Sequence, residues 1–402
     1  MHINETKKKR VAMSIREFDV VVFGATGFTG RLVAEYLQNQ YGSSVRWAMA
    51  GRSAEKLASV RDEMGIDKEV ALLTADSSDQ NSLDALAART KVILTTVGPY
   101  QLYGETLIKA CVAQGTDYVD LCGEPAWMRD IITDYSDAAA KSGARIVLSC
   151  GFDSIPFDMG VFFLQEAAKE KFGAPCSDVR GRVRKMKGTF SGGTAASFME
   201  TMKRAGRQPE ILGWLKDPFS LVPGYVGPDQ PSGHKPIFED DLKSWSAPFI
   251  MASINTKNVQ RSNALMDFAY GKNFTYSEML LTGPGEKGEA AANFVAKDDS
   301  MSKNPPKPGE GPSKEARETG FYDVMFIGQT PKGERLIAGV TGDKDPGYGS
   351  TSKMIAEAAL CLALDVDHTQ TTGGVYTSAP AMGLTLVDRL TQNAGLTFEI
   401  EA

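Results

Sequence analysis

Side chains that could move a proton follow two of the predicted strands in the first half of the chain. Tyr100 and Tyr103 follow the fourth predicted strand, and Asp153 and Ser154 follow the sixth. The carboxyl ends of parallel strands meet at one edge of a sheet, where such sheets bind ligands. Hydroxyl and carboxyl groups there are of the type that protonates a substrate as charge develops on it. We therefore expect all four to be catalytic, with Tyr100 as the preferred donor.

These residues also have structural explanations, which the sequence leaves open. Tyr100 could only pack on a bound cofactor, and the segment 153–156 could only build a turn between two domains. Glu124, which follows the fifth predicted strand, could be a cap or an ion-pair partner.

Histidine and metal chemistry are not expected at this edge. The three histidines are His2 in the N-terminal tail, His234 in a Pro/Gly-rich insert and His368 in a polar stretch. None follows a strand of the first half, and no His, Cys and Asp residues cluster at metal-ligand spacing. We therefore expect neither a histidine acid nor a metal site.

A glycine-rich segment lies between a predicted strand and a predicted helix. It reads GATGFTG and follows the apolar run at 20–23 directly. In this setting Gly24 permits a tight turn, Gly27 lets the backbone approach a pyrophosphate, and Gly30 lets the helix pack closely on the strand. The helix N-terminus adds free N–H groups. We expect the whole segment to bind a dinucleotide through Gly24, Ala25, Thr26, Gly27, Phe28, Thr29 and Gly30.

The residues after the second predicted strand favour NADPH over NADH. An acidic side chain here accepts from the ribose 2′-OH of NADH, whereas an arginine pairs with the 2′-phosphate of NADPH. The chain has Arg52 and Ser53 at this point, with no carboxylate before Glu55. We therefore expect Arg52 and Ser53 to bind the phosphate. Asp76, after the third strand, is either an adenine contact or a helix cap.

Short apolar runs alternate with longer amphipathic segments over the first half of the chain, which is typical of a parallel sheet covered by helices. We predict strands at 19–23, 47–50, 70–74, 92–97, 117–120 and 145–148. We predict helices at 28–38, 54–63, 82–88, 106–114 and 127–142. The fold class is therefore α/β, with an N-terminal Rossmann-type doubly wound parallel sheet.

The pattern changes after Pro156. Apolar runs at 321–330 and 335–341 flank the turn PKGE, which predicts a hairpin and a second α+β domain with an antiparallel or mixed sheet. We expect four parts in chain order: a disordered tail at 1–17, an NADP-binding Rossmann domain at 18–155, a substrate domain at 156–345 with a flexible loop at 300–320, and a C-terminal segment at 346–402 whose helix packs back on the Rossmann domain.

Three arginines, Arg180, Arg182 and Arg184, alternate with small or apolar residues at the start of the second domain. Two interpretations stay open. They could form a basic face for the phosphate groups of a carrier-bound substrate, or the polar face of a strand that is buried on one side.

Charge and composition exclude several classes of protein. The 402 residues carry 44 Lys plus Arg against 50 Asp plus Glu, so no global basic field attracts nucleic acid. No stretch reaches the roughly 18 consecutive apolar residues that span a bilayer. The five cysteines lack C-x-x-C spacing and are typical of buried, reduced thiols. We expect a cytoplasmic protein that binds no nucleic acid.

Two kinds of association stay open. The apolar segment 247–254 favours core packing, with peripheral contact to a membrane or lipid body as the alternative. A homodimer is expected by analogy, because antiparallel sheets in the second domains of dinucleotide enzymes often mediate dimers.

Several segments together resemble the saccharopine dehydrogenase-like oxidoreductases, and most closely their trans-acting enoyl reductase branch. These segments are GATGFTG at 24–30, AGRS at 50–53, TTVGPYQLYGE at 95–105, YVDLCGE at 118–124, CGFDSIPFDMG at 150–160, GPSKEARETG at 311–320, GYGSTSKM at 347–354 and GGVYTSAPAMG at 373–383. The resemblance implies an NADP-dependent Rossmann domain, a larger substrate domain and a carrier-bound enoyl intermediate as substrate. It also implies that Gly98, Pro99 and Tyr100 lie beside the nicotinamide, and we expect Val97, Gly98 and Pro99 to bind the cofactor.

We therefore expect an NADPH-dependent reductase of an activated C=C bond. Its acceptor would lie between the segments 98–103 and 151–156, with the second domain as the opposite wall. One alternative is an imine or carbonyl reductase, which needs cationic groups for amino-acid carboxylates. The other is a non-catalytic NADPH-binding scaffold, suggested by the scarcity of acid-base residues.

Overall fold

Two seven-stranded sheets organise the chain in the computed structural model, which describes residues 16–188, 192–298, 303 and 309–402. Residues 1–15 of the predicted tail lie outside the described residues, and so do residues 300–308 of the predicted loop, apart from 303. The rest of that loop includes a short helix, Lys314–Glu318.

The elements are numbered in chain order. The strands are β1 (Phe18–Phe23), β2 (Trp47–Gly51), β3 (Ala71–Thr74), β4 (Thr90–Thr95), β5 (Asp117–Val119), β6 (Arg145–Val147), β7 (Asp178–Lys187), β8 (Ile237–Glu239), β9 (Ser244–Pro248), β10 (Thr275–Gly283), β11 (Phe321–Gln329), β12 (Arg335–Gly342), β13 (Gly374–Tyr376) and β14 (Leu396–Ile400). The helices are α1 (Phe28–Tyr41), α2 (Ala54–Glu63), α3 (Gln80–Ala87), α4 (Tyr100–Tyr103), α5 (Glu105–Gln114), α6 (Pro125–Ser142), α7 (Ile155–Phe172), α8 (Gly192–Ala205), α9 (Glu210–Lys216), α10 (Ala252–Leu265), α11 (Gly285–Ala296), α12 (Lys314–Glu318), α13 (Thr351–Leu360) and α14 (Ser378–Asn393). Single π-helical segments, Pro346–Ser350 and Cys361–Asp365, flank α13.

The first sheet is parallel throughout and has the strand order β13-β6-β5-β4-β1-β2-β3. Its interior strand β1 is buried at every position, which explains why that segment is a continuous apolar run rather than an alternating one. This sheet confirms the α/β, Rossmann-type prediction. Its seventh strand, β13, comes from the C-terminal segment and pairs with β6. Three residues are too short to give a periodic signal, so the sequence did not predict it.

The second sheet has the order β14-β12-β11-β7-β10-β9-β8 and is mixed, because β7 and β10 run parallel while the other pairs are antiparallel. The hairpin of β11 and β12 lies where the sequence predicts it. Helix α7 packs on this sheet so closely that a Cβ at Gly160 would lie 2.3 Å from the ring of Phe326. A glycine is therefore required at this contact.

Carboxylates neutralise the three alternating arginines of β7. Arg180 pairs with Glu239 at 2.7 Å and with Asp241 at 2.6 Å, and the buried Arg182 pairs with the other oxygen of Glu239 at 2.6 Å. Arg184 pairs with Asp323 and with Glu401, both at 2.6 Å. The interpretation as a free basic face for phosphates is therefore wrong, and the polar-face interpretation holds.

A buried carboxylate anchors the C-terminal segment to helix α1 of the first domain. Helix α13 lies against α1, and Glu357 on α13 accepts hydrogen bonds from the hydroxyls of Tyr36 and Tyr41, each at 2.6 Å. Arg389 on α14 donates to the same carboxylate at 2.8 Å. One fully buried anion thus ties three helices together.

Core packing accounts for most of the apolar segment 247–254. Ala247, Phe249, Met251 and Ile254 are buried, whereas Ile250 is 44% exposed. In the described part of the chain, no helix is long and apolar enough to cross a membrane.

Candidate active site

The glycine-rich segment forms a tight turn at the carboxyl end of β1. Gly24 has φ +91°, in the region that favours glycine, and a Cβ there would lie 2.7 Å from Cγ2 of Val97. A Cβ at Gly30 would lie 2.2 Å from the carbonyl oxygen of Gly24. Both glycines are therefore required by close contacts, as the dinucleotide fingerprint predicts.

The same turn leaves room for a diphosphate at the start of α1. Gly27 precedes the helix without a side-chain cap, so the first helical N–H groups are available to an anion. Thr96 and Gly98, at the end of β4, line the cavity together with Gly27 and Thr29. This uncapped helix start, with no Cβ at Gly27, fits the pyrophosphate of the expected NADPH.

The residues expected at the 2′-phosphate lie at the ends of the neighbouring strands. Arg52 is exposed directly after β2, and the hydroxyl oxygen of Ser53 accepts from the Lys56 N–H at 3.2 Å, which caps α2. The hydroxyl hydrogen of Ser53 remains able to donate to a phosphate. Asp76 accepts from the N–H and hydroxyl of Ser78, and these bonds together with the Arg52 charge lower its pKa.

A cavity of about 510 Å³ opens beside the phosphate turn, where the strand ends of the first sheet face the second domain. The first domain lines it with Gly27, Thr96, Gly98, Tyr100, Gly123, Gly151 and Asp153. The second domain lines it with Met186, Phe198, Met202, Leu215, Phe249, Ile250, Met251 and Ile254. The wall from the second domain is therefore largely apolar, with Thr194, Ser197, Thr201 and Ser253 as its polar members.

Asp153 presents an unpaired carboxyl to this cavity. A Cβ at Gly123 would lie 3.3 Å from its Oδ2, so the two strand ends meet here. Among the described residues none donates a hydrogen bond to this carboxyl, and burial raises its pKa to about 7. A carboxylic acid with this pKa retains a transferable proton near neutral pH.

Tyr100 lines the cavity with its ring, but its hydroxyl points into the protein. The hydroxyl accepts from the Leu121 N–H at 3.0 Å and donates to the Thr95 carbonyl at 3.3 Å. The ring packs 5.9 Å from that of Trp127, and burial raises the pKa of Tyr100 well above its usual value. The expectation that Tyr100 is the preferred donor is not supported by this geometry, because its proton is held by a backbone carbonyl.

Two other expected catalytic residues lie outside the cavity. Ser154 is buried, and its hydroxyl oxygen accepts from Nδ2 of Asn258 at 2.8 Å, so it fastens the 151–156 turn to α10. Tyr103 is 45% exposed at the end of α4. The structure therefore brings Tyr100 and Asp153 together at the cavity but places neither Ser154 nor Tyr103 on its wall.

Glu124 joins the two domains at the rim of the cavity. Its buried carboxylate accepts from the N–H groups of Tyr100 at 2.7 Å and Gln101 at 2.9 Å, and from the Ser197 hydroxyl at 2.6 Å. Burial raises its pKa, and these three bonds oppose the rise. The structural alternative for Glu124 is therefore the one that the geometry favours. Nothing in the sequence indicated Ser197 as its partner, because the two residues belong to different domains.

The apolar wall from α8 was also absent from the expected site. Phe198 and Met202 are four residues apart and lie on one face of the helix, and both contribute to the cavity while remaining more than 40% exposed. This spacing, in a segment that sequence reasoning left without a role, is the signal that could have indicated them. In the described part of the chain, no group of His, Cys, Asp and Glu side chains could hold a metal ion.

Comparisons with known proteins agree with this geometry. Residues 20–147 match the family model of the saccharopine dehydrogenase NADP binding domain. A relative from Mycobacterium tuberculosis is 43% identical over 401 residues, which cover 93% of this chain and 96% of the relative. The trans-acting enoyl reductase of Mycobacterium ulcerans is 39% identical over 406 residues, which cover 94% of this chain and 96% of that protein.

A solved structure shares the fold at much lower identity. Saccharopine dehydrogenase (L-Glu forming) from Saccharomyces cerevisiae has a TM-score of 0.54 and 11% identity, over 95% of this chain and 99% of that chain. This likeness shows the fold alone. Together the comparisons confirm the resemblance and the NADPH prediction that the sequence supported.

Proposed function

Because the chain belongs to the family of trans-acting enoyl reductases and is an NADPH-dependent oxidoreductase, we propose that it reduces the C=C bond of a carrier-bound enoyl thioester. One observation carries this proposal. A single cavity joins the phosphate turn at Gly27, the unpaired carboxyl of Asp153 and the apolar wall at Phe198 and Ile254. Such a cavity suits an apolar acyl group that must meet both a hydride and a proton.

NADPH, when bound, supplies a hydride to the β-carbon of the acyl group. Negative charge then develops on the thioester oxygen, and the corresponding electron pair forms a new C–H bond at the α-carbon. We assign the proton of that bond to the Asp153 carboxyl, which becomes a carboxylate and is recharged from solvent. The remaining residues exclude water and orient: the apolar wall covers the acyl chain, and Glu124 holds the Tyr100 and Gln101 backbone in place.

Reduction of an amino-acid imine, the first alternative, is less well supported. That chemistry needs cationic side chains for the substrate carboxylates. The cavity-lining residues in the described part of the chain include no Lys, Arg or His, and the arginines of β7 are paired elsewhere. The non-catalytic scaffold is disfavoured by Asp153, since a carboxyl that faces the cavity with a raised pKa and no hydrogen-bond partner among the described residues is typical of a functional site.

A homodimer, peripheral contact with lipid and a cytoplasmic location stay predictions. The acyl carrier is the partner that the proposal requires, because the proposed substrate is bound to it. Phe198, Met202 and Ile250 line the cavity and are exposed, so a carrier can deliver its acyl group past these apolar side chains.

The fate of the hydride tests the reaction class. With NADPH deuterated at the transferred position and a 2-enoyl thioester as substrate, we expect deuterium on the β-carbon of the saturated product, detected by mass spectrometry and NMR. A saturated thioester of the same length is the control and should gain no label. Label that appears only on the carbon of an imine or carbonyl substrate would overturn the proposal.

Arg52 should set the preference for NADPH. Arg52→Ala is expected to weaken NADPH binding about tenfold or more and NADH binding little, because only NADPH carries the 2′-phosphate. Fluorescence titration of both nucleotides measures this. Lys56→Ala, which removes a nearby exposed cation on α2, is the matched control. Equal losses for the two nucleotides would contradict the assignment.

A further inference from the structure

The phosphate turn is covered by a segment from the second half of the chain. Phe28, the first residue of α1, packs edge-on against Tyr348 with ring centroids 4.8 Å apart. The backbone of Gly311 lies against the same ring, since a Cβ there would be 2.3 Å from Phe28. Tyr348 also donates a hydrogen bond to the carbonyl of Glu310 at 3.1 Å. The segment 309–318 thus crosses the start of α1, where the pyrophosphate is expected.

Arg317, in this segment, places a cation beside the phosphate turn. The guanidinium carbon of Arg317 lies 5.4 Å from the centroid of the Phe28 ring, and its Nη1 donates to the Pro312 carbonyl at 2.7 Å. Among the described residues no carboxylate is within ion-pair distance of Arg317. Asp345 interacts electrostatically with Arg317 beyond ion-pair distance, and its oxygens accept from the N–H groups of Tyr348 and Gly349.

The first domain provides no comparable cation at this point. Arg31, on the first turn of α1, donates to the Thr26 carbonyl at 3.2 Å and pairs with Glu63 at 3.1 Å. Its charge is therefore already balanced. A pyrophosphate at the start of α1 would meet backbone N–H groups and the helix dipole, and among the described residues Arg317, across the turn, is the cation that lies over the Phe28 ring.

We propose that Arg317 binds the pyrophosphate of NADPH, with the Phe28 ring and the Pro312 carbonyl holding its guanidinium in position. The second half of the chain then completes the cofactor site, and the bound nucleotide fastens the segment 309–318 to the Rossmann domain. The proposal rests on NADPH binding alone, so it stands or fails independently of enoyl reduction.

Titrations of NADPH and NADH by fluorescence test the proposal. Arg317→Gln keeps a donor for the Pro312 carbonyl but removes the charge, and we expect it to weaken both nucleotides by the same factor, about tenfold or more, because both contain the pyrophosphate. Arg317→Lys should recover most of the affinity. Wild-type binding should also weaken with added salt more steeply than binding by Arg317→Gln. Lys314→Ala is the control, since Lys314 is an exposed cation of the same segment and pairs with Glu318 at 3.8 Å.

Each other outcome overturns the proposal. Unchanged affinity in Arg317→Gln would show that the cation does not reach the nucleotide. A loss confined to NADPH would place Arg317 at the 2′-phosphate, where Arg52 is expected instead. A loss that Arg317→Lys does not recover, with the salt dependence of the wild type retained, would make Arg317 a structural residue. Thermal unfolding without nucleotide checks that all variants are folded.

Discussion

Asp153→Asn is expected to lower the turnover of a 2-enoyl thioester by about 100-fold or more while leaving NADPH affinity within about twofold. The amide has the same shape as the carboxyl but no transferable proton. Asp153 lines the cavity without a hydrogen-bond partner among the described residues, so the substitution breaks no side-chain hydrogen bond there. Single-turnover rates and nucleotide titrations would separate the two effects.

The pH dependence of turnover is a second test of the role of Asp153. Burial raises the pKa of Asp153 to about 7, and the protonated form is the donor. Turnover by the wild type should therefore be highest below pH 7 and fall as the pH rises through that value. The descending limb should be absent from the residual activity of Asp153→Asn.

Ionisable neighbours make a control necessary. Glu278, whose pKa burial raises to about 8, and the thiol of Cys122 both interact electrostatically with Asp153. Glu278 is held by Asn255 and Tyr276 and does not line the cavity. Glu278→Gln should therefore retain the descending limb. If Asp153→Asn kept both its turnover and its pH profile, solvent rather than Asp153 would be the proton source.

The features that the sequence predicted well are those encoded in consecutive residues. The GATGFTG turn, the buried run of β1 and the amphipathic period of α1 each lie within one short stretch, and steric limits on glycine and alternation of buried positions determine them locally. The carboxyl-end rule then placed Asp153 at the right edge of the sheet. The Rossmann domain and its cofactor followed from local physics alone.

The features that the sequence missed depend on contacts between distant segments. Tyr100 follows a strand as a catalytic tyrosine would, but the direction of its hydroxyl is determined by the Thr95 carbonyl and the Leu121 N–H. Ser154 is adjacent to Asp153, yet its hydroxyl accepts a hydrogen bond from Asn258 and does not line the cavity. Sequence position indicates the edge at which a residue lies, and it does not indicate which neighbours its polar atoms meet.

The same limit applies to the second domain. The alternating arginines of β7 are equally compatible with a phosphate site and with a paired polar face, since the pattern does not contain their partners. Glu239, Asp323 and Glu401 come from three separate segments, and only the folded sheet brings them to the arginines. Charge patterns within one strand therefore predict a polar face more reliably than a ligand.

Asp117→Ala is expected to lower the free energy of unfolding by about 3–5 kcal/mol. Asp117 and Arg145 begin the neighbouring strands β5 and β6, and both side chains are buried in an ion pair. Arg145 also donates to the carbonyls of Val366 at 2.6 Å and Leu362 at 2.8 Å. Removing the aspartate leaves a buried guanidinium without its counter-charge, which is the costly case for such pairs.

Urea unfolding of matched variants would measure this cost. Glu17→Ala breaks the exposed pair with Arg89 and should leave the free energy of unfolding nearly unchanged. The double variant Asp117→Ala with Arg145→Met also removes the unpaired guanidinium and should recover part of the lost stability. It should not recover all of it, because the Leu362 and Val366 carbonyls lose their donor. A loss below about 1 kcal/mol in Asp117→Ala would contradict the argument. The incomplete recovery is the informative result, since it measures what stays unpaired when both side chains are gone: the Leu362 and Val366 carbonyls lose their donor, and the Arg145 N–H loses the Asp117 carboxylate that accepts from it at 2.8 Å.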